Sequence, residues 1–517
     1  PFRWRAARHK GTLVHLDQAG FRRGVSRVFS GTNWEIQSGQ CWGVVGDFDS
    51  GRNTLIHALC GDIPPVEGEV DYGYETIDPQ FEGCPESGIV HVLFEDQQHA
   101  LANQEAFAQI RWNPGLDHEG HTAADFLSLE KVDQIYSMED VAPQRLRRYR
   151  AIRKEVIRSL YIAPLLERTL DQVSNGERRK LFLARALLAD PMLIILEHPF
   201  EGLDPTYRSK LQKIFSTLLK DGMNLMFLAP DTEALPKHVT HLAQVKNHRL
   251  KVVGPFKPKP SSPRKPGPSM RVRMPTEWKK RLRKHDLHAP VARLEQVRVA
   301  YDDKVILDGV DWTIQPGERW ALSGPNGAGK STLLSLLQGD NPQAYGNAIE
   351  MFGKPYGVGH SIWEVKKRIG SVSPEAHLYF PSDLSALEVV CTGFFDTLRL
   401  FDACGKVRQH IAREWLECLE LGDQADTTFG DLPVEEQRLT LIARAVVKQV
   451  DLLILDEPCM GLDTRHRERL LALVEGIVKA SGCALIYVTH QRENLPACIT
   501  HRIRLKGGRV VRKERTS

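Results

Sequence analysis

The chain carries one set of motifs twice, and a repeat this long dictates two like domains rather than a solenoid or one enlarged core. Residues 324–332 read GPNGAGKST after the apolar run Trp320-Ala321-Leu322. Residues 46–54 read GDFDSGRNT after a strand-like run from Cys41 to Val45. The offset of 278 persists through Leu59-Cys60-Gly61-Asp62 against Leu337-Gln338-Gly339-Asp340. Farther on, residues 174–204 match 433–463 at an offset of 259, and Leu235 to His241 match Leu495 to His501. The first copy therefore holds 19 extra residues between its glycine-rich loop and its acidic strand. On size alone 517 residues would divide into three domains; the repeat says two, each large enough for its own core.

The second-copy loop has the G-x-x-x-x-G-K-[ST] pattern, with a helix expected from Leu333 to Leu337. Its glycines let backbone N–H groups close around phosphate oxygens. Lys330 reaches the terminal phosphates, and the Ser331 hydroxyl can hold Mg²⁺. The expected cradle comprises Gly324, Asn326, Gly327, Gly329, Lys330, Ser331 and Thr332. In the first copy Asp47 and Asp49 stand at the places of Pro325 and Gly327, putting carboxylates into an anion site. Arg52 replaces the lysine with a wider, planar cation, and Asn53 replaces the serine hydroxyl.

Composition narrows the class. No stretch approaches the ~18 consecutive apolar residues of a membrane helix, and the longest apolar runs, such as Met192 to Leu196, are of buried-strand length. Nine cysteines include no C-x-x-C pair and sit mostly in apolar surroundings. Core thiols in a reducing compartment are expected, the cytoplasm or alternatively the mitochondrial matrix. The first ten residues, PFRWRAARHK, are basic and read as a solvated arm or the remnant of a targeting segment. Net charge is +4, but residues 255–285 hold eleven Lys/Arg, one Glu and seven Pro. Such a segment should be an extended, partly polyproline linker. The expected organisation is a first domain at 1–254, a linker at 255–290 and a second domain at 291–517.

The ordered set in each half, namely a phosphate loop, a signature before a helix, an apolar strand ending in acids, G-L-D and a switch position, resembles the ATP-binding cassette (ABC) family. The resemblance runs from about residue 13 to 510, and five motifs occur twice in the right order. Within the family, SIWEVKKRIGSVSPEAHLYFP (361–381) and LPACITHR (495–502) look most like a soluble twin-cassette type associated with molybdate transport. The fold implied is α/β: two tandem P-loop NTPase domains, each with a mostly parallel sheet plus antiparallel β and helical subdomains. The alternation of short apolar strands with helical stretches points the same way.

The resemblance also implies roles. The two cassettes pack head to tail within one chain, so each ATP lies between the loop of one half and the signature of the other. For the second-half loop, Asp456 would hold Mg²⁺ through water, Glu457 would orient or deprotonate the attacking water, and His490 would sense the γ-phosphate. Asp463 would lie at the cassette interface and Tyr301 would stack on adenine. The signature Ser174-Asn175-Gly176-Glu177 would complete the site. The family's glutamine falls at Pro374 or Glu375, which puts coupling to motion in doubt. The first-half site is degenerate on both sides. Glu197 and His198 replace the acids, Pro230 replaces the sensor, and the facing signature reads Leu432-Pro433-Val434-Glu435-Glu436. Phe21 is the nearest aromatic for adenine.

The reading that results is an ATPase with one catalytic site, acting as an ATP-driven switch for an unidentified protein partner. If it serves transport, separate subunits must supply the pore. The alternative is a ribosome- or RNA-associated protein docking through the linker, with Trp278 amid its cations, and through residues 145–158. There apolar positions 146, 149, 152 and 156 predict a helix with a basic opposite face, in the extra length of the first copy.

Overall fold

Segments such as Leu193–Glu197 and Ala484–Val488 are apolar along their whole length, as strands buried on both faces require. A computed structural model of the chain assembles them accordingly. It describes residues 4–23, 26–46, 50–75, 81, 84–92, 122–133, 143–170, 173, 175–200, 205–257, 273–282, 289–301, 304–358, 361–374, 377, 380–401, 403–460, 462, 464–489 and 494–516. The chain divides into two units, Pro1–Pro263 and Arg264–Ser517.

In the second unit the main sheet runs Ile369–Val372, Leu452–Asp456, Ala484–Val488, Arg319–Ser323, His501–Lys506 and Arg509–Arg515. All neighbours are parallel except the last pair. The first unit repeats this order with Ile89–Val92, Leu193–Glu197, Leu225–Ala229, Trp42–Val45, His241–Lys246 and Arg249–Pro255. One face of each sheet packs on an antiparallel sheet. In the second unit this holds Lys304–Ile314, Ala292–Tyr301, Ala348–Met351 and Lys354–Pro355; in the first, Ser26–Gln37, Thr12–Arg23 and Glu67–Asp71. The same edge-to-face tryptophan pair joins the two layers in both units, Trp34 on Trp42 at 5.2 Å and Trp312 on Trp320 at 5.6 Å.

The other face is covered by helices: Ala123–Phe126, Pro143–Leu160 and Asn175–Leu188 in the first unit, Ala386–Thr392, Lys406–Cys418 and Val434–Val446 in the second. Among the described residues no helix is long and apolar enough to cross a membrane.

Four expectations change. The basic stretch 145–158 is helical and buries Tyr149, Ile152 and Val156 as its spacing predicts. It is not the inserted length, however, because it occupies the place that Lys406–Cys418 fills in the second unit. The longer connection lies between Val92 and Ala123, against Val372 to Ala386. The linker is not wholly extended: Thr276–Lys280 forms a short helix, and Trp278 is 2% exposed, packed edge-on to Trp415 at 5.1 Å. Its Nε1–H donates to the Val446 carbonyl at 3.0 Å. Trp278 is therefore a core anchor of the second unit and offers no face to a nucleic acid. The amino-terminal arm is anchored as well, with Trp4 and Ala6 buried and Arg5 donating to Asp190 at 3.2 Å. Finally, Phe21 is fully buried beneath the antiparallel sheet and cannot stack on a base.

Candidate functional site

The second-half loop leaves the strand Arg319–Ser323 and enters the helix Lys330–Gln338. Three of its glycines have φ values that L-residues rarely adopt: 155° at Gly324, 76° at Gly327 and 94° at Gly329. Two also lack space for a side chain. A Cβ on Gly324 would lie 2.4 Å from the Leu505 carbonyl oxygen, and one on Gly329 would lie 2.6 Å from Leu307 Cδ2. The loop thus folds back over the helix N-terminus, where unpaired N–H groups and the helix dipole favour an anion. Lys330 Nζ donates into the loop, to the carbonyls of Gly324 at 2.9 Å and Pro325 at 3.1 Å. Ser331 is exposed and Thr332 half-buried on the first turn. The open space at Gly327, an inward ammonium and an exposed hydroxyl suit a phosphate chain with its divalent cation.

Strand register brings the acids to the same level. Asp456 pairs with Val488, and Val488 in turn with Leu322, so the acids and the loop share the carboxyl end of the parallel sheet. That end is where ligands bind in open α/β sheets. Glu457 follows the strand with φ 45°, a left-handed conformation unusual for a non-glycine residue, and its N–H donates to the Val488 carbonyl at 3.0 Å. The turn holds Glu457 half-buried rather than letting the strand continue. Tyr301 ends the strand Ala292–Tyr301 with half its surface exposed (50%), and its hydroxyl accepts from Asn341 Nδ2 at 2.8 Å. That bond to Asn341 had no signal in the motif pattern.

The helix Asn175–Leu188 begins within the first-half signature. Gly176 is buried where a Cβ would meet Tyr207 Cδ1 at 2.6 Å, and Glu177 is half-buried. Ser174, Asp463, His490 and Glu375 lie outside the described residues, as do Asp47, Asp49 and the side chain of Asn175.

Where it is described, at Gly46 and from Ser50 onward, the first-half loop enters the helix Arg52–Leu59 as its counterpart enters Lys330–Gln338, with different chemistry around its cation. Gly51 caps its helix at φ 93°, and His198 stands at φ 43° with its N–H on the Leu228 carbonyl at 3.1 Å. Glu197 pairs with Leu228, and Leu228 with Val44, the same level as its counterpart Asp456. Arg52, where Lys330 stands in the other half, is 1% exposed. Its Nη1 donates to the Gly46 carbonyl at 3.1 Å, repeating the lysine's contact with Gly324. Its Nη2 lies 3.2 Å from Glu197 Oε1 and 3.1 Å from His198 Nε2. His91 approaches the other carboxylate oxygen at 3.8 Å. Burial, then His57 and Arg52, push its pKa down to about 3, so it is neutral and adds no charge beside Glu197. Arg52, at the place of Lys330, is thus paired with Glu197, at the place of Asp456. A pairing between positions 52 and 197 leaves no trace in local spacing, which is why motif reading missed it.

The ABC transporter family model matches residues 29–201 and 307–460. The ABC transporter ATP-binding protein ModF of Escherichia coli is 31% identical, the match covering 95% of this chain and 96% of ModF. An uncharacterized ABC transporter ATP-binding protein of Schizosaccharomyces pombe is 28% identical over 94% of this chain and 96% of its own. Among solved structures, a chain of a model of ribosome-bound archaeal Pelota and ABCE1 matches 97% of this chain and 79% of its own with a TM-score of 0.61 at 17% identity. The RNase-L inhibitor matches 97% of this chain and 91% of its own at 0.54 and 16%. These two likenesses concern the fold alone. With two glycine-loop sheets of one topology and the family model matched twice, the chain belongs to the ABC transporter family, as a tandem pair of ATP-binding cassettes.

Proposed function

We propose that this chain hydrolyses ATP at one site, the second-half loop completed by the first-half signature, and that the first-half loop does no chemistry. The observation that supports the asymmetry most is the fate of the loop cation. Lys330 donates to the carbonyls of Gly324 and Pro325, which phosphate oxygens can displace, whereas Arg52 is buried against Glu197 and His198. In this reading Tyr301 stacks on adenine, and the Gly324–Thr332 backbone with Lys330 grips the β- and γ-phosphates. Glu457 takes the proton of the attacking water as oxygen bonds the γ-phosphorus and the bridging bond to ADP breaks. Mg²⁺, held by the Ser331 hydroxyl and through water by Asp456, would neutralise charge on the phosphate oxygens. Ser174, Asn175, Gly176 and Glu177 bring a hydroxyl and a helix N-terminus to the γ-phosphate, with Asp463 at the interface and His490 as sensor.

The test separates the two signatures. Ser174→Ala is expected to lower steady-state turnover at least tenfold while leaving ATP affinity nearly unchanged. Leu432→Ala, in the other signature, is expected to leave turnover as it was. Equal turnover in both variants would sink the composite site.

ATP binding closes the pair and hydrolysis reopens it, and a partner reads the two states. The ModF relative's description favours a transport-associated partner. A second reading, an RNA-bound partner, rests on Arg147, Arg150, Lys154 and Arg158, exposed along one side of Pro143–Leu160. Salt-sensitive co-purification of RNA would favour the second reading, and co-purification of membrane subunits the first.

A further inference from the structure

The turn that presents Glu457 is held by a side-chain bond as well as by backbone. Glu457, Pro458 and Cys459 follow the strand Leu452–Asp456. The Glu457 N–H donates to the Val488 carbonyl at 3.0 Å, and the Met460 N–H donates back to the Glu457 carbonyl at 3.0 Å. Cys459 points into the protein at 6% exposed, and its Sγ lies 3.2 Å from the hydroxyl of fully buried Tyr487, a bond in which either atom can donate. Tyr487 and Val488 are successive residues of the strand Ala484–Val488, so one strand grips the turn twice, by a side chain and by a carbonyl. In sequence the same strand leads on to His490.

A buried phenol needs a partner, and the thiol supplies one among the apolar neighbours of the second unit's helical core. Both groups are neutral: burial pushes the Cys459 thiol up to about 12 and raises Tyr487 well above the usual phenol range. What the pair adds is therefore direction rather than charge.

The first unit makes the same turn with other side chains. Asp456 pairs with Val488 and Glu197 with Leu228, which puts Phe227 at the place of Tyr487, and Phe200 stands at the place of Cys459. Both phenylalanines pack edge-on to Phe215, at 5.8 and 5.1 Å. His198 keeps φ 43° there, so apolar packing is enough to make the bend. Ring contacts tolerate small slides, whereas a hydrogen bond has a preferred distance and angle. The unit with an acid after its strand is the one with the directional pair.

We propose, resting on the ATPase reading, that Cys459 and Tyr487 are positioning residues for hydrolysis, their bond fixing the turn so that Glu457 meets the attacking water at one place. A displacement of about 1 Å at such a group can cost about 10²-fold in rate.

The experiment compares Tyr487→Phe, Cys459→Ala, the double variant and Cys459→Ser in the full chain, by steady-state ATP turnover and by hydrogen–deuterium exchange of the nucleotide-free protein. Tyr487→Phe and Cys459→Ala are each expected to lower kcat about tenfold with KM for ATP unchanged. The double variant is expected to lose no more than either alone, and Cys459→Ser, which keeps a donor and an acceptor, to retain kcat. Exchange at the Glu457 and Met460 amides is expected to rise wherever kcat falls and to stay low in Cys459→Ser. Unchanged kcat, additive losses or unchanged exchange would overturn the proposal. A wild type without turnover would sink the ATPase reading, and the exchange result would then decide by itself whether the pair fixes the turn.

Discussion

Glu457→Gln is expected to lower steady-state ATP turnover by about 10²- to 10⁴-fold, the usual loss when a positioned base is removed, while His198→Gln leaves turnover unchanged. Each residue follows the equivalent strand of its own unit, at φ 45° and 43°, and each donates its N–H to the neighbouring strand. A non-glycine residue in this conformation stores about 1–3 kcal/mol and persists only where its surroundings enforce it. The first half thus retains the strained turn that presents a base without retaining the base. His198 Nε2 lies 3.1 Å from Arg52 Nη2, so its ring is engaged with the loop cation rather than with a water. Turnover measured on the two purified variants decides the matter. If His198→Gln slows hydrolysis as much as Glu457→Gln, the first half shares in the chemistry.

Arg52→Ala is expected to destabilise the first unit by about 3–5 kcal/mol, because it strands the Glu197 carboxylate in a buried place. Glu197 is 8% exposed, and the imidazole of His91 at its other oxygen is neutral and adds no charge. At roughly 2–4 °C per kcal/mol for a domain of this size, the lower thermal transition should fall by about 10 °C. Replacing both partners, as in Arg52→Met/Glu197→Leu, should recover most of that loss, since an apolar pair of similar volume commonly does as well as a buried ion pair. Differential scanning calorimetry on the three proteins distinguishes the cases. An Arg52→Ala protein that melts with the wild type would mean the guanidinium is dispensable, and the closure of the first loop would lose its basis.

Much of this was legible in the motifs. The duplication, the parallel sheet, the phosphate loop and the acids at the end of an apolar strand all follow from local pattern, because each depends on residues close in sequence. The misreadings share one cause, which is that composition and proximity were used where register was needed. Phe21 is the nearest aromatic before Gly46, yet the offset of 278 equates it with buried Val299 and sets Arg23 at the place of Tyr301. Trp278 sits in a run of lysines and prolines. Met274, Trp278 and Leu282 nevertheless recur every four residues, and all three pack on the second unit's helical core, so the apolar spacing was the better guide than the charge around it. The arm at Trp4 was masked by its arginines in the same way. The Arg52–Glu197 pair joins residues 145 positions apart. No period or spacing reports such a contact, and only the folded sheet brings the two to one level.

The number of ATP molecules bound per chain bears most directly on the claim that one loop is competent and the other is closed by its own ion pair. Equilibrium dialysis of Glu457→Gln with Mg²⁺ and saturating ATP, where hydrolysis cannot deplete the ligand, reads it without reference to rate. One ATP per chain, lost on Lys330→Ala and unaffected by Arg52→Met/Glu197→Leu, is the predicted result. Two per chain, or one that survives Lys330→Ala, would contradict it.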